Sequence, residues 1–399
     1  MPRRFAACAL AVAIVLPFAL GAQREKEPRR PRLPAGSDTN SARVYYDFAL
    51  EELRHSPDKA ADALYWATRI EPTWADAFYA ERVALLLSDN RRLLRYWGGD
   101  RRTLESDDFR RIDSLFYHAL TLNPFVSQRL DRQIFEAVAD EFAHEAAGSS
   151  GSEMEVRYEI DRMMATASPA TKAWLAYGDG RFEDAIRLYA DAIRADKRNE
   201  TLRLDRARVF FQMNQLDSSL AELTKAVEAL RTRDKKDLVF VYQSKALAEQ
   251  SIAVIHQRMG QDTAAKEALG RALQEDLSYY PAHVQLALIS LTDKDTTNAL
   301  AELDLAVQVH GDDAGLQYLD AYVMALSGKV ADAEPHLRKA IALDPVYAAP
   351  HFTLAQLLES AAFTEDALKE YQTFLALASA TDPRRERATA KTTSLKSGR

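Results

Sequence analysis

The sequence predicts an all-α protein, an α-solenoid of antiparallel helix pairs stacked one upon the next. Three observations lead there. Gly and Pro are scarce, 14 each in 399 residues, so little interrupts a chain rich in the helix-favouring residues Ala, Leu, Glu and Arg. Small residues recur in phase at a step of 34 residues over four consecutive units without a gap, and a fixed step of this size marks a repeat architecture. Within each unit, the apolar positions are four and three residues apart, which places them on one helical face.

The first residues stand outside that pattern. Arg3 and Arg4 precede an apolar run from Phe5 to Leu20, which ends in Leu20-Gly21-Ala22-Gln23. This is the layout of a secretory signal, with small residues where a peptidase cuts. Residues 1–22 are therefore expected to be removed, leaving no transmembrane span and a protein exported to the periplasm or the exterior. The alternative is an uncleaved N-terminal membrane anchor, since the run is about long enough to span a bilayer; Pro17 and the small-residue exit favour removal. Cys8 is the only cysteine and lies inside the run, so a processed chain has no disulfide or cysteine–metal site. Residues 23–40, rich in Pro, Arg and Lys, read as a flexible spacer.

The array itself occupies residues 154–381. Ala253, Ala287, Ala321 and Ala355 form one column, and Ala265, Ala299, Ala333 and Ala367 a second. Leu269, Leu303, Leu337 and Tyr371 follow, and then Ala272, Ala306, Ala340 and Phe374. Two upstream units place Ala173 and Ala207, Ala185 and Ser219, Tyr189 and Leu223, and Ala192 and Ala226 in the same columns. Alanine on a helix face lets a neighbouring axis approach to about 8 Å, and the larger Leu or Tyr fills the space beside it. One such pair cannot bury its apolar face alone, so pairs must stack. The stack is expected to be an elongated, open-ended rod.

These columns resemble the tetratricopeptide repeat. Ala333, Leu337, Ala340 and Pro345 match that family's second-helix pattern, and Gly260 and Gly328 its turn glycine; Gln317, His283 and His351 stand where it has Trp. The resemblance implies a superhelix whose first helices line a concave, ligand-binding face. Transferred to this chain, the family's groove positions are Val284 and Leu288, Tyr318 and Tyr322, and Phe352 and Gln356. Each pair is four residues apart and shares one face. The Lys, Asn and Arg of a carboxylate clamp are missing there, so the implied surface is apolar and aromatic, suited to anchoring a partner segment. The alternative is that Tyr318, Tyr322 and Phe352 pack between units or lie under the chain's own ends.

Residues 41–147 read as degenerate repeats. Ala60, Leu64, Ala67 and Pro72, and then Phe116, Ala119 and Pro124, repeat the second-helix columns. Between them an insertion near 90–108, around Trp97-Gly98-Gly99-Asp100, reads as a solvated loop or, alternatively, a binding loop. Residues 148–153 form a flexible link and 382–399 a basic flexible tail. The ends are basic and the body acidic: residues 33–381 carry −16 within a total of −7. A net-negative body disfavours nucleic acid as the main partner.

No zinc-spaced histidine pair, phosphate loop or nucleophile elbow occurs, and the repeats leave little chain for a catalytic domain. The expectation is an exported, non-enzymatic scaffold binding a protein or peptide partner, without metal or cofactor. A carrier or enzyme acting on envelope glycans is the second reading, and a self-associating structural protein the third.

Overall fold

A computed structural model describes residues 27–98, 107–148, 165–197, 199–233 and 244–397, with a few isolated residues between 154 and 162. The expected signal, most of the 148–153 link and the centre of the 90–108 insertion lie outside the described residues. Among those described, the regular structure is nineteen helices. The N-terminal third holds α1 (Ala42–Glu52), α2 (Pro57–Ile70), α3 (Ala75–Leu87), α4 (Asn90–Gly98), α5 (Asp107–Leu122) and α6 (Asp131–Gly148). Six helix pairs follow: α7 (Pro169–Gly178) with α8 (Phe182–Ala195), α9 (Thr201–Gln212) with α10 (Leu216–Arg233), and α11 (Lys245–Arg258) with α12 (Asp262–Glu275). Then come α13 (Tyr280–Thr292) with α14 (Thr296–Val309), α15 (Ala314–Leu326) with α16 (Val330–Leu343), and α17 (Ala348–Ser360) with α18 (Thr364–Leu377). A last helix, α19, runs Arg385–Ser397. From α7 to α19 each helix packs most extensively on its sequence neighbours, the pattern of an α-solenoid.

Ala253, Ala265, Ala272, Ala287, Ala299, Ala306, Ala321, Ala333, Ala340, Ala355 and Ala367 are all fully buried. They occupy the seams where paired helices meet, and Leu269, Leu303, Leu337 and Tyr371 are equally buried beside them. A second periodic device lies in the turns. Gly180, Asn214, Gly260, Lys294, Gly328 and Ala362 all have positive φ, between 58° and 79°. In each case the next residue's N–H bonds back to a carbonyl near the end of the first helix, as in Arg181 to Ala176, Asp295 to Ser290 and Phe363 to Leu358, each 2.8–2.9 Å. This left-handed closure terminates the first helix and reverses the chain into the second.

The N-terminal third does not extend the stack as an open rod. It runs back along the array in reverse order, against the first helices and the loops leading into them. Asp38 accepts hydrogen bonds from Ser379 and Ala380, both 2.7 Å, and Arg69 pairs with Asp344 at 3.1 Å. Farther along, Gln250 donates to the Thr121 carbonyl at 3.1 Å, and Phe125 stacks on Phe211 with centroids 3.7 Å apart. The Gln128 N–H meets the Tyr177 hydroxyl at 3.3 Å, and Arg132 pairs with Asp179 at 2.9 Å. The effect on burial is direct. On α11 every residue from Ala246 to Ala253 is buried, whereas its partner α12 buries only Ala265, Ala268, Leu269 and Ala272. A helix covered on more than one side has lost its solvent face, so the open-rod expectation is corrected.

Both flexible-end expectations are corrected as well, over the residues described. Of the 23–40 spacer, Pro28 accepts a hydrogen bond from the Trp66 indole at 3.1 Å, and the Arg30 guanidinium lies 4.5 Å from that ring. Most of the 382–399 tail is α19, which buries Ala388 and Thr392. Two of its basic groups, Arg385 and Lys391, find partners in the fold. Arg385 donates to the Leu375 and Ala378 carbonyls at 2.8 and 2.9 Å, satisfying the free end of α18. Lys391 binds Glu359.

Candidate binding site

The site grows from two neighbouring first helices and the segments of the N-terminal third laid against them. On α13, Tyr280, Val284 and Leu288 recur at four-residue spacing and share a face; on α15, Leu316, Tyr318 and Leu319 stand opposite. Pro72, Thr73, Thr121 and Leu122 close the far side, and Tyr347 completes the wall. Together they bound about 470 Å3 of water-accessible space, lined mainly by apolar atoms with Gln250, Gln285 and Asp313 as its polar points. Gly315 allows the close approach: a Cβ there would stand 3.1 Å from Thr73. Asp313 starts α15 by accepting from the Leu316 N–H at 2.8 Å, an N-cap that fixes where the helix and its wall begin.

Of the six groove positions named from sequence, Val284, Leu288 and Tyr318 meet in this pocket. Tyr322 stands one turn beyond Tyr318, ring centroids 6.0 Å apart, and is 42% exposed, as Leu288 is 43% exposed. Phe352 is not available. It is buried, 5.0 Å from the Phe374 ring and 5.9 Å from Tyr371, with Arg384 and Arg387 over it. The cause is α19, which caps the final pair and turns Phe352 into core. Gln356 is half-buried on the same helix. His283 and His351 pack where the repeat has its large residue, each with Nδ1 2.6 Å from a glutamate of the paired second helix, Glu302 and Glu370.

Beside the apolar pocket, and sharing Pro72, Tyr280 and Asp313 with it, lies a second space of about 410 Å3. Here His118 from α5 meets His310 and Asp313, which flank the turn between α14 and α15. His118 Nε2 is 3.7 Å from Asp313 Oδ2. The Tyr280 ring stacks on His310 at 4.4 Å, and the Phe78 ring meets His118 edge-on at 4.4 Å. Burial pushes the His118 imidazole below its usual range, against the pull of Asp313 and a hydrogen bond to the Pro72 backbone, while His310 adds to the depression. Among the described residues, these three side chains could hold a metal ion. Sequence reasoning missed them, along with Pro72, Thr73, Thr121 and Leu122, because the partners lie far apart in the chain. Only Asp313, as a helix-cap residue, carried any local signal.

Residues 176–235 match a family model described as tetratricopeptide repeat. A search of the curated proteins finds no match. Similar solved structures include YrrB, described as a TPR protein with an unusual peptide-binding site, at 17% identity and TM-score 0.41, covering 51% of this chain and 97% of that one. Yeast Tom70 is 13% identical with TM-score 0.44, covering 90% of each chain. MamA from Desulfovibrio magneticus RS-1 is 16% identical with TM-score 0.37, covering 45% of this chain and 94% of its own.

Proposed function

We propose that this chain, which carries tetratricopeptide repeats, is an exported scaffold that receives an apolar segment of a partner protein in the pocket between α13, α15 and the N-terminal third. Repeats of this kind build protein–protein interaction scaffolds, and stacked helix pairs offer a long surface with no chemistry of their own. The observation that carries the more specific reading is the pocket wall of Val284, Leu288 and Tyr318, opening onto exposed Tyr322. Exposed aromatic and aliphatic groups at the mouth of an apolar cavity anchor partner side chains. Because the N-terminal third covers much of the first-helix face, the partner meets this local opening rather than a continuous groove. Export rests on the character of residues 1–22, with a mature chain beginning at Gln23.

A photo-crosslinking amino acid placed at Leu288 or Tyr322 is expected to trap a partner in cells. The same probe at Leu305 or Val309, exposed on α14, is expected not to. Tyr318→Ala combined with Tyr322→Ala should reduce the trapped product at Leu288 while helicity is retained. Equal trapping from both faces, or a yield untouched by the double substitution, would remove the pocket from the account. N-terminal sequencing of the chain recovered from the envelope fraction tests cleavage after Ala22.

A further inference from the structure

We propose that His118, His310 and Asp313 bind a divalent first-row transition-metal ion that clasps the N-terminal third onto the repeat array. Two imidazoles and one carboxylate form a borderline donor set of the kind that takes zinc and its neighbours in preference to calcium or magnesium. One ligand atom from each residue lies within 4.8 Å of the other two. A tetrahedral zinc ion with bonds of about 2.0–2.1 Å sets its ligand atoms about 3.4 Å apart. The His118–Asp313 pair, at 3.7 Å, is already close to that spacing.

The surroundings orient the donors as a metal requires. Asp313 Oδ1 accepts from the Leu316 N–H, and Oδ2 faces His118. The Pro72 carbonyl accepts a hydrogen bond from the His118 ring. His118 Nε2 and Asp313 Oδ2 face each other at 3.7 Å, too far for a direct hydrogen bond and close to the spacing of two ligands on one ion. A backbone carbonyl holding the far nitrogen of an imidazole ligand is the usual outer-sphere arrangement at metal sites. The Tyr280 ring fixes the His310 plane in the same way. Three protein ligands leave at least one coordination position, directed into the 410 Å3 space they border.

The clasp has a structural consequence. Its ligands come from two parts of the chain that no repeat contact joins. Bound metal therefore stabilises the docked arrangement over any state in which α5 lifts away.

The full chain, stripped with chelator and titrated with Zn2+ by calorimetry, is expected to bind one equivalent, raise its melting temperature, and slow amide exchange in α5. Co2+ should give the visible absorption of a four- or five-coordinate ion. His310→Gln, and Asp313→Asn, which keeps the helix cap, should each weaken Zn2+ binding by at least about tenfold and abolish the Co2+ band. His55→Ala, at an exposed histidine elsewhere, should change neither. A natively helical parent that binds no stoichiometric Zn2+ overturns the proposal, as does binding that survives in both ligand variants. If Asp313→Asn loses helicity, His310→Gln decides alone.

Discussion

Phe125→Ala tests whether the N-terminal third is integral to the fold. Phe125 is 3% exposed and stacks on Phe211 with ring planes only 6° apart, and its carbonyl accepts a hydrogen bond from Gln212 at 3.2 Å. Truncating a buried phenylalanine costs about 3–5 kcal/mol, of which about 0.5–1.5 kcal/mol belongs to the ring pair itself. The lost contact joins residues 125 and 211, so the energy is taken from docking rather than from any one helix pair. Native-state hydrogen exchange resolves such partial openings. A loss of about 3 kcal/mol in docking speeds exchange through that opening by roughly 150-fold. The amides of α1 to α5 should show it, while those of the first turns of α16 and α18 should exchange at nearly the parental rate. A double-mutant cycle with Phe211→Ala should return a coupling of about 1 kcal/mol. Uniform acceleration across the chain, or no acceleration in α1 to α5, would refute a separately docked N-terminal third.

Two further predictions concern stability. Ala362 holds φ of 63° at a turn where Gly260 holds 72°, and a side chain in that region costs about 1 kcal/mol. Ala362→Gly should therefore raise the urea midpoint and Gly260→Ala lower it, because a Cβ at Gly260 meets nothing within 4 Å and only the backbone penalty remains. The second concerns Glu81, 4% exposed, with a hydrogen bond from Thr68 at 3.1 Å as its nearest relief. Burial pushes its carboxyl up to about 7 from an unfolded 4.5. The folded state thus holds the proton more tightly than the unfolded one, so the stability from this group is complete below pH 4.5 and lost as pH rises through about 7. Glu81→Gln should flatten that decline and gain up to about 3 kcal/mol over the parent at pH 8. Unfolding curves measured at pH 5 and pH 8 for both proteins give the difference directly, and a difference independent of pH contradicts the assignment.

What was legible in the sequence is what repeats. Ala265, Leu269 and Ala272 recur because each pair meets the next through the same interface, and that constraint prints a 34-residue phase into the chain. The turns were half-legible: Gly260 and Gly328 announced the left-handed closure, while Asn214, Lys294 and Ala362 adopt it without the residue that favours it. The C-terminal helix was hidden by its composition. Its buried positions are Ala388 and Thr392 amid polar residues, and its arginines look solvated until the carbonyls and rings they cover are in view.

The docking of the N-terminal third was illegible for a deeper physical reason. Thr121 with Gln250, Phe125 with Phe211 and Arg69 with Asp344 are single contacts between non-neighbouring segments, and no translation of the chain by one repeat maps one onto the next. Such contacts obey complementarity without period. The pocket and the His118–His310–Asp313 trio inherit the same property, since each needs residues from both partners of the docking. The parts of this molecule most able to confer specificity are therefore those its repeat pattern does not encode. A chain sharing the 34-residue phase but lacking a Phe125–Phe211 equivalent would fold its pairs in the same way and present a longer uncovered face.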